Sequence, residues 1–331
     1  MPKVLITGAS GLLGYNTALE FCRMGFEVRV LIRRTTNTEL LNGLFCEWYY
    51  GAVENAAEVE DAVKGCDYVV HTASLTGQWG IALKQYEQVN VQGTENIIRA
   101  CLHGGVKRLI YISTANTMAP GTRKHPGTEL NPFSLFKINS PYINTKYIAQ
   151  QKVLEAVVER GLPAVILNPT FMIGAHDLKP SSGQLLKYAL DKMLLFYPPG
   201  GKNFVHVRDV SRAIVFACNN GENGDCFLIA GENLSYREFF RMVHRQARQR
   251  PVMLEIPGLV LKIGGLLGTA IGRITGKRQM LNYAAAYLLC LQNYYCGQKA
   301  ARTLGIRYTP VAVAIEEALA WFDKNNKERC Y

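Results

Sequence analysis

Tyr142 and Lys146 stand four residues apart, just after Pro141, in a stretch with helical patterning over residues 143–160. On a helix that spacing puts the phenol and the ammonium on one face, one turn apart, an arrangement suited to proton transfer. A free phenol has a pKa near ~10, so working near neutrality takes about 4 kcal/mol of preferential phenolate stabilisation. One ammonium about 4 Å away at an effective dielectric of ~20 supplies that amount. Tyr-x-x-x-Lys alone recurs by chance, but two other groups give it context. Ser113 and Thr114 follow the apolar run 108–112, where their hydroxyls can donate to a substrate oxygen. Near the start of the chain, Gly8, Gly11 and Gly14 recur at three-residue spacing between an apolar run and a helical pattern. Such a turn needs glycine where the strand reverses, where backbone approaches a pyrophosphate and where helix meets sheet. The helix N-terminus then offers amide donors and positive dipole to the phosphates. A dinucleotide held by Gly8, Ser10, Gly11, Leu12, Leu13 and Gly14 is the expected ligand.

The elements that must position these groups read as an alternation. Short apolar runs at residues 3–6, 27–32, 68–71, 108–112 and 164–167 are separated by helical patterns at 14–24, 59–63, 85–103 and 143–160. That rhythm predicts an α/β fold with a doubly wound parallel sheet, a Rossmann architecture. Residues 1–168 read as the dinucleotide-binding domain carrying Tyr142 and Lys146. Residues 169–331 read as a smaller mixed substrate-binding portion, part of which returns to the sheet. Ligands of such sheets gather at the carboxyl ends of the strands, where Thr72, Ala73 and Ser74 follow the third run and are small enough for a cofactor to lie against the backbone. The second run ends in Arg33 and Arg34, with no acidic residue before Glu39. A carboxylate there would repel a ribose 2′-phosphate, whereas an arginine pairs with it, so NADP is expected in preference to NAD. His71, alone at a strand end, reads as a hydrogen-bonded core group rather than a catalyst.

Composition narrows the remaining choices. The chain has 331 residues, 48% hydrophobic and 19% charged, enough for a large core. Its nine cysteines form no Cys-x-x-Cys pair and no metal spacing with histidine, so reduced thiols and no metal site are expected. The first apolar run lacks a basic flank and a small-residue cleavage site, which points to the cytoplasm. The net charge of +11 is concentrated between residues 237 and 278, and reads as a solvated helix face in preference to a surface for anionic ligands or membranes. Nucleic acid is not an expected partner, because no aromatic residues are interleaved with the cations. The apolar, glycine-rich stretch 256–272 is interrupted by Pro257 and Lys262, so it reads as a buried or surface-lying helix rather than a span; contact with a membrane surface is the minor reading.

The motifs together resemble the extended short-chain dehydrogenase/reductase superfamily, which includes nucleotide-sugar epimerases and dehydratases. Within it the chain is most similar to dihydroflavonol reductases and 3β-hydroxysteroid dehydrogenases. The resemblance rests on the glycine turn from Thr7 to Gly14, Asn90-Val91-x-Gly93-Thr94-x-Asn96, Ser113-Thr114, Tyr142-x-x-x-Lys146, Asn168-Pro169, the run from Phe204 to Val210, Lys299-Ala300-x-x-x-Leu304-Gly305 and Trp321-Phe322. It implies that Tyr142 is the general acid or base, that Lys146 tunes it and binds the nicotinamide ribose, and that Thr114 orients the substrate oxygen, with Ser113 as the fallback. It also implies cofactor contacts at Asn90, Ser113, Asn168, Pro169 and Thr170, and a homodimer built on helices 85–103 and 143–160. Two positions depart from the family pattern: many members have arginine at Asn168, and aspartate is frequent at Ala52, where it reaches the adenine amino group.

The resulting expectation is an NADPH-dependent reduction of a carbonyl substrate, or the reverse oxidation of an alcohol. An epimerase with tightly bound cofactor is the alternative, with Lys187, Lys202 and the arginines from 237 to 250 available for a sugar-nucleotide diphosphate. Dehydration is disfavoured because Ala115-Asn116-Thr117 offers no carboxylate. A non-catalytic cofactor-binding regulator is the alternative of another class. Trp79, Phe171, Met172, Met193 and Phe196 are candidates for the substrate pocket, although such residues are more often core.

Overall fold

The computed structural model describes residues 1–77, 81–178, 182–275 and 281–328, so Trp79, Lys277 and Arg278 lie outside the described residues. The strands are β1 (Lys3–Thr7), β2 (Glu27–Ile32), β3 (Glu47–Tyr50), β4 (Tyr68–His71), β5 (Arg108–Ile112), β6 (Ala164–Pro169), β7 (Phe171–Ile173), β8 (Leu194–Tyr197), β9 (Gly201–His206), β10 (Cys226–Ile229), β11 (Glu232–Ser235), β12 (Val252–Glu255) and β13 (Gln292–Asn293). The helices are α1 (Leu12–Arg23), α2 (Ala56–Val63), α3 (Leu83–Tyr86), α4 (Gly93–Gly104), α5 (Pro141–Arg160), α6 (Gly183–Ala189), α7 (Val207–Phe216), α8 (Tyr236–Gln246), α9 (Gly258–Thr275), α10 (Tyr283–Cys290), α11 (Gln298–Thr303) and α12 (Val311–Glu328).

Seven strands make one parallel sheet in the order β10-β6-β5-β4-β1-β2-β3. Such a sheet is covered on both faces, which is why β1, β4, β5 and β6 are almost wholly buried rather than alternating. Phe21 of α1 and Ile214 of α7 pack on one face; Val59 of α2, Ile97 of α4 and Val153 of α5 pack on the other. The order reverses direction between β1 and β4, and the crevice at such a switch point is where ligands bind.

The stretch that reads from its periodicity as one helix over residues 85–103 is divided. α3 runs into a π-helical segment, Glu87–Gln92, before α4 begins. Asn90 sits within that segment with 1% of its surface exposed, and its side chain bonds outside the helix. Interruptions of this kind are frequent at functional sites.

After β6 the chain builds a smaller unit in which β9 pairs with β7, β11 and β13, packed on α8 and α12 through Phe204, Phe239 and Ile315. It then returns to the large sheet. α7 lies against α1, and β10 pairs with β6. The run from Phe204 to Val210 fastens this return. His206 Nδ1 caps α7 by accepting from the Arg208 amide at 3.0 Å, its Nε2 lies 3.1 Å from Glu317 of α12, and the buried Asp209 accepts from the Thr309 amide at 2.6 Å. Lys299 of α11 donates to Asp225 and to the Cys226 carbonyl at the start of β10.

Candidate active site

A cleft of about 860 Å³ runs along the carboxyl ends of β1, β2, β4, β5 and β6 and into the smaller unit. Its floor is the glycine turn. Gly8 takes a left-handed φ of 73°, and a Cβ there would stand 2.8 Å from the Ala73 backbone. A Cβ on Gly14 would fall 2.1 Å from the Gly8 carbonyl oxygen, so only glycine lets α1 close onto β1. Gly11 differs: it is exposed on the cleft, and a Cβ there would meet no protein atom closer than 3.5 Å. As the N-cap of α1 it has no side chain to accept from the helix's first amides, which leaves them and the helix dipole to the cleft. These residues fit a pyrophosphate.

Beside the turn, Thr72 donates through its hydroxyl to the Thr7 carbonyl at 2.6 Å, and the Ala73 amide donates to Thr7 Oγ1 at 3.2 Å. Thr72, Ala73 and Ser74 all line the cleft. Asn90 stands behind them: its Oδ1 accepts from Ser74 Oγ and the Leu75 amide, and its Nδ2 donates to Thr145 Oγ1 at 3.1 Å. The strand end is thus tied to the helix carrying Tyr142 and Lys146. His71 is buried between Thr7 Oγ1 at 2.8 Å and Thr94 Oγ1 at 3.2 Å, and burial pushes its pKa down to about 3. It is a neutral core group, as its isolation in the sequence predicts.

At the far end of β2 the two arginines part company. Arg33 lines the cleft, whereas Arg34 places its guanidinium 5.2 Å from the centre of the Tyr50 ring. Ala52 also lines the cleft, and its amide donates at 2.8 Å to a carboxylate of Glu58 from the first turn of α2. Where the family often carries aspartate, this chain has an alanine whose backbone engages a glutamate six residues on.

The reacting end is built by β5, β6 and α5. Pro141 at the first position starts α5, an N1 proline being preorganised for a helix. Tyr142 and Lys146 lie in its first two turns and both line the cleft. Thr114 takes a bond from the Asn116 amide at 3.3 Å, and its hydroxyl is near enough to the Tyr142 phenol to favour its ionised form. Burial pushes that phenol up to about 12, with the Thr114 hydroxyl pulling the other way. Lys146 therefore does not lower the phenol in the manner the spacing argument anticipates. Its ammonium donates to the Ile112 carbonyl at 2.6 Å and lies 4.4 Å from the centre of the Tyr111 ring, and burial pushes its own pKa down to about 7. Desolvation dominates both groups.

Ser113 also lines the cleft, and its buried Oγ has no partner among the described residues. Pro169 and Thr170 complete the wall, Thr170 donating to Asn203 Oδ1 at 2.7 Å. Asn168 is fully buried behind it. Its Nδ2 reaches the Thr114 carbonyl at 3.2 Å and Gln150 Oε1 at 2.8 Å, so it braces the end of β5.

The substrate half is the part least visible beforehand. Phe171 and Met172 line the cleft, but Met193 and Phe196 are exposed elsewhere. Lys202 lines it, with its ammonium 5.2 Å from the centre of the Phe171 ring and burial pushing its pKa down to about 8. Lys187 instead packs over Phe322, and the arginines from 237 to 250 are not among the lining residues. Asp177, Leu178, Gln184, Asn203, Asn293 and Tyr295 join the wall without any sequence signal. Asn293 is the parallel-strand partner of Lys202, and its buried Oδ1 has no partner among the described residues.

Residues 4–230 match the NAD dependent epimerase/dehydratase family. The chain belongs to that family. It is 29% identical over 325 residues to "Sterol demethylase protein B" of Methylococcus capsulatus, covering 96% of this chain and 97% of that one. It is 25% identical over 329 residues to a "Putative dihydroflavonol 4-reductase" of Synechocystis, covering 97% and 94%. The crystal structure of gox2253 superposes with a TM-score of 0.87 at 29% identity, over 98% of this chain and 99% of that one. The family member described here is thus a nicotinamide-dinucleotide-dependent enzyme of the short-chain dehydrogenase/reductase type, with a Rossmann sheet.

Proposed function

We propose that this enzyme interconverts a carbonyl and an alcohol on a largely apolar small molecule, with NADP as its dinucleotide. The observation that carries the reading is the set of Thr114, Tyr142 and Lys146 at one end of a cleft whose other end has the glycine turn and Arg33. When bound, the dinucleotide supplies or accepts hydride at the substrate carbon. In reduction Tyr142 gives its phenolic proton to the carbonyl oxygen while the Thr114 hydroxyl donates to the same oxygen as charge develops. Lys146 would hold the nicotinamide ribose beside them. In oxidation the same groups work in reverse. Phe171, Met172 and Leu178 give the substrate end an apolar patch, and the Synechocystis relative is itself described as a putative reductase.

Lys202 favours a second reading, because a cation in the substrate half suits the diphosphate of a sugar nucleotide. The two are separated by following NADPH absorbance with purified protein. Carbonyl compounds should give net, stoichiometric consumption; conversion of a sugar nucleotide with no net consumption overturns the reductase reading.

The NADP preference rests on Arg33 facing the cleft with no carboxylate at the end of β2. Replacing Arg33→Ala should raise the KM for NADPH by about tenfold, the worth of a charge-assisted bond at an exposed site, and leave that for NADH within about twofold. Equal changes for both cofactors would remove Arg33 from the 2′-phosphate.

A further inference from the structure

Helix α9 packs on α10 along a narrow seam. Leu261 is buried there, a Cβ on Gly265 would come 2.7 Å from Ala286 Cβ, and Thr269 Oγ1 accepts from the Tyr283 amide at 3.0 Å. Much of the rest of the helix is aliphatic and uncovered: Leu259, Ile263, Leu266, Leu267, Ile271 and Ile274 are 49–85% exposed. A helix apolar on nearly every side is ordinarily buried in a core, and contiguous exposed apolar surface of this kind marks an interaction site. The expectation of a buried or surface-lying helix resolves to the second. No helix among the described residues is long and apolar enough to cross a membrane, so α9 does not span one.

Charge decides what covers this face. From residue 256 to residue 291 the chain has Lys262, Arg273, Lys277 and Arg278 and no Asp or Glu. A second copy of the same face would bring like charges together, whereas an anionic bilayer complements them. We propose that α9 docks in the plane of an anionic lipid bilayer, with its aliphatic side chains in the headgroup–acyl boundary and the exposed Lys262 at the headgroups, in a stretch whose sequence adds positive charge and no carboxylate. α10, on which α9 packs, leads directly into the wall of the cleft. The Gly201 amide at the start of β9 donates to the Leu291 carbonyl at 2.9 Å, and Asn293 and Tyr295, just beyond α10, line the substrate half. Within the basic region, this proposal concerns the 256–291 stretch, whereas composition favours a solvated face for the region as a whole.

The test is co-sedimentation of the full-length protein with vesicles. At low salt it should pellet with phosphatidylcholine vesicles containing about one third phosphatidylserine, and binding should fall at least ~10-fold with pure phosphatidylcholine or in about 0.5 M NaCl. Leu266→Glu combined with Leu267→Glu should lower binding to the anionic vesicles at least ~10-fold. Both positions lie outside the cleft, so retained dinucleotide binding reports that the variant is folded. Failure of the wild type to pellet with anionic vesicles overturns the proposal, as does equal binding to neutral ones; these two outcomes need no variant. A species of twice the chain mass that the paired substitution returns to single-chain mass, without vesicle binding, assigns the face to a second copy and also overturns it.

Discussion

Tyr142→Phe is expected to lower turnover by about 10²–10⁴-fold, the usual worth of a positioned general acid or base, while dinucleotide affinity stays near that of the wild type. The two readouts part because the phenolic oxygen is the only atom removed. The glycine turn, the uncapped start of α1 and Arg33 all lie at the other end of the cleft. Phenylalanine keeps the ring, so the wall of the cleft is preserved, and Thr114 still takes its bond from the Asn116 amide. The pH dependence carries a further signature. Burial holds the phenol up to about 12, so it is protonated at neutral pH and ready to act as an acid. In the oxidation direction, where it must take a proton, the wild-type rate should climb as pH rises, and the residual rate of the phenylalanine variant should lose that dependence. A loss below about tenfold, or an unchanged pH profile, would remove Tyr142 from proton transfer.

The alternation of runs locates β1, β2, β4, β5 and β6 well, because a parallel sheet buried on both faces writes itself as unbroken apolar segments. β3 escapes notice: it lies at the edge of the sheet, and Glu47 and Tyr50 at its ends are exposed. The cofactor half of the cleft was legible for the same local reason. The glycine turn, Thr72-Ala73-Ser74 and Ser113-Thr114 each follow a strand that can be recognised on its own. Lys202, Asn203, Asn293 and Tyr295 have no such anchor. They reach the cleft through short strands paired across long separations, as with β13, two residues long, beside β9, and no local pattern encodes that pairing. Arg33 and Arg34 mark another boundary of inference. Adjacent and chemically identical, they are distinguished only when Tyr50 on the neighbouring strand claims one of them. The acidity of Tyr142 is not legible in the sequence, because spacing counts the charge on Lys146 and omits the desolvation of both groups, which depends on the packing around them.

Lys146→Met should abolish most turnover and, near neutral pH, alter stability in a way that depends on pH. The lysine is 3% exposed and burial pushes its pKa down to about 7, against an ordinary value of 10.5. The sign follows from proton binding in the two states. Below pH 7 the lysine is protonated in both, and the folded protein bears the full cost of the buried cation. Between about 7 and 10.5 the unfolded chain holds a proton that the folded one does not, so wild-type stability rises with pH by about 1.4 kcal/mol per unit. Above 10.5 neither state is charged and the dependence ends. Across the window this amounts to about 5 kcal/mol. Methionine fills similar space without the charge, but forfeits the hydrogen bond to the Ile112 carbonyl, about 1–3 kcal/mol in the other direction. That second contribution is independent of pH, so the clean measurement is the difference in unfolding free energy between variant and wild type at several pH values from about 7.5 to 9.5. The wild type should gain on the variant steadily as pH rises, and groups such as Lys202 and the cysteines, common to both proteins, cancel. A difference that stays constant with pH would mean that Lys146 is charged throughout, and that the folded protein carries a fixed ammonium beneath Tyr142 rather than one that titrates near neutrality.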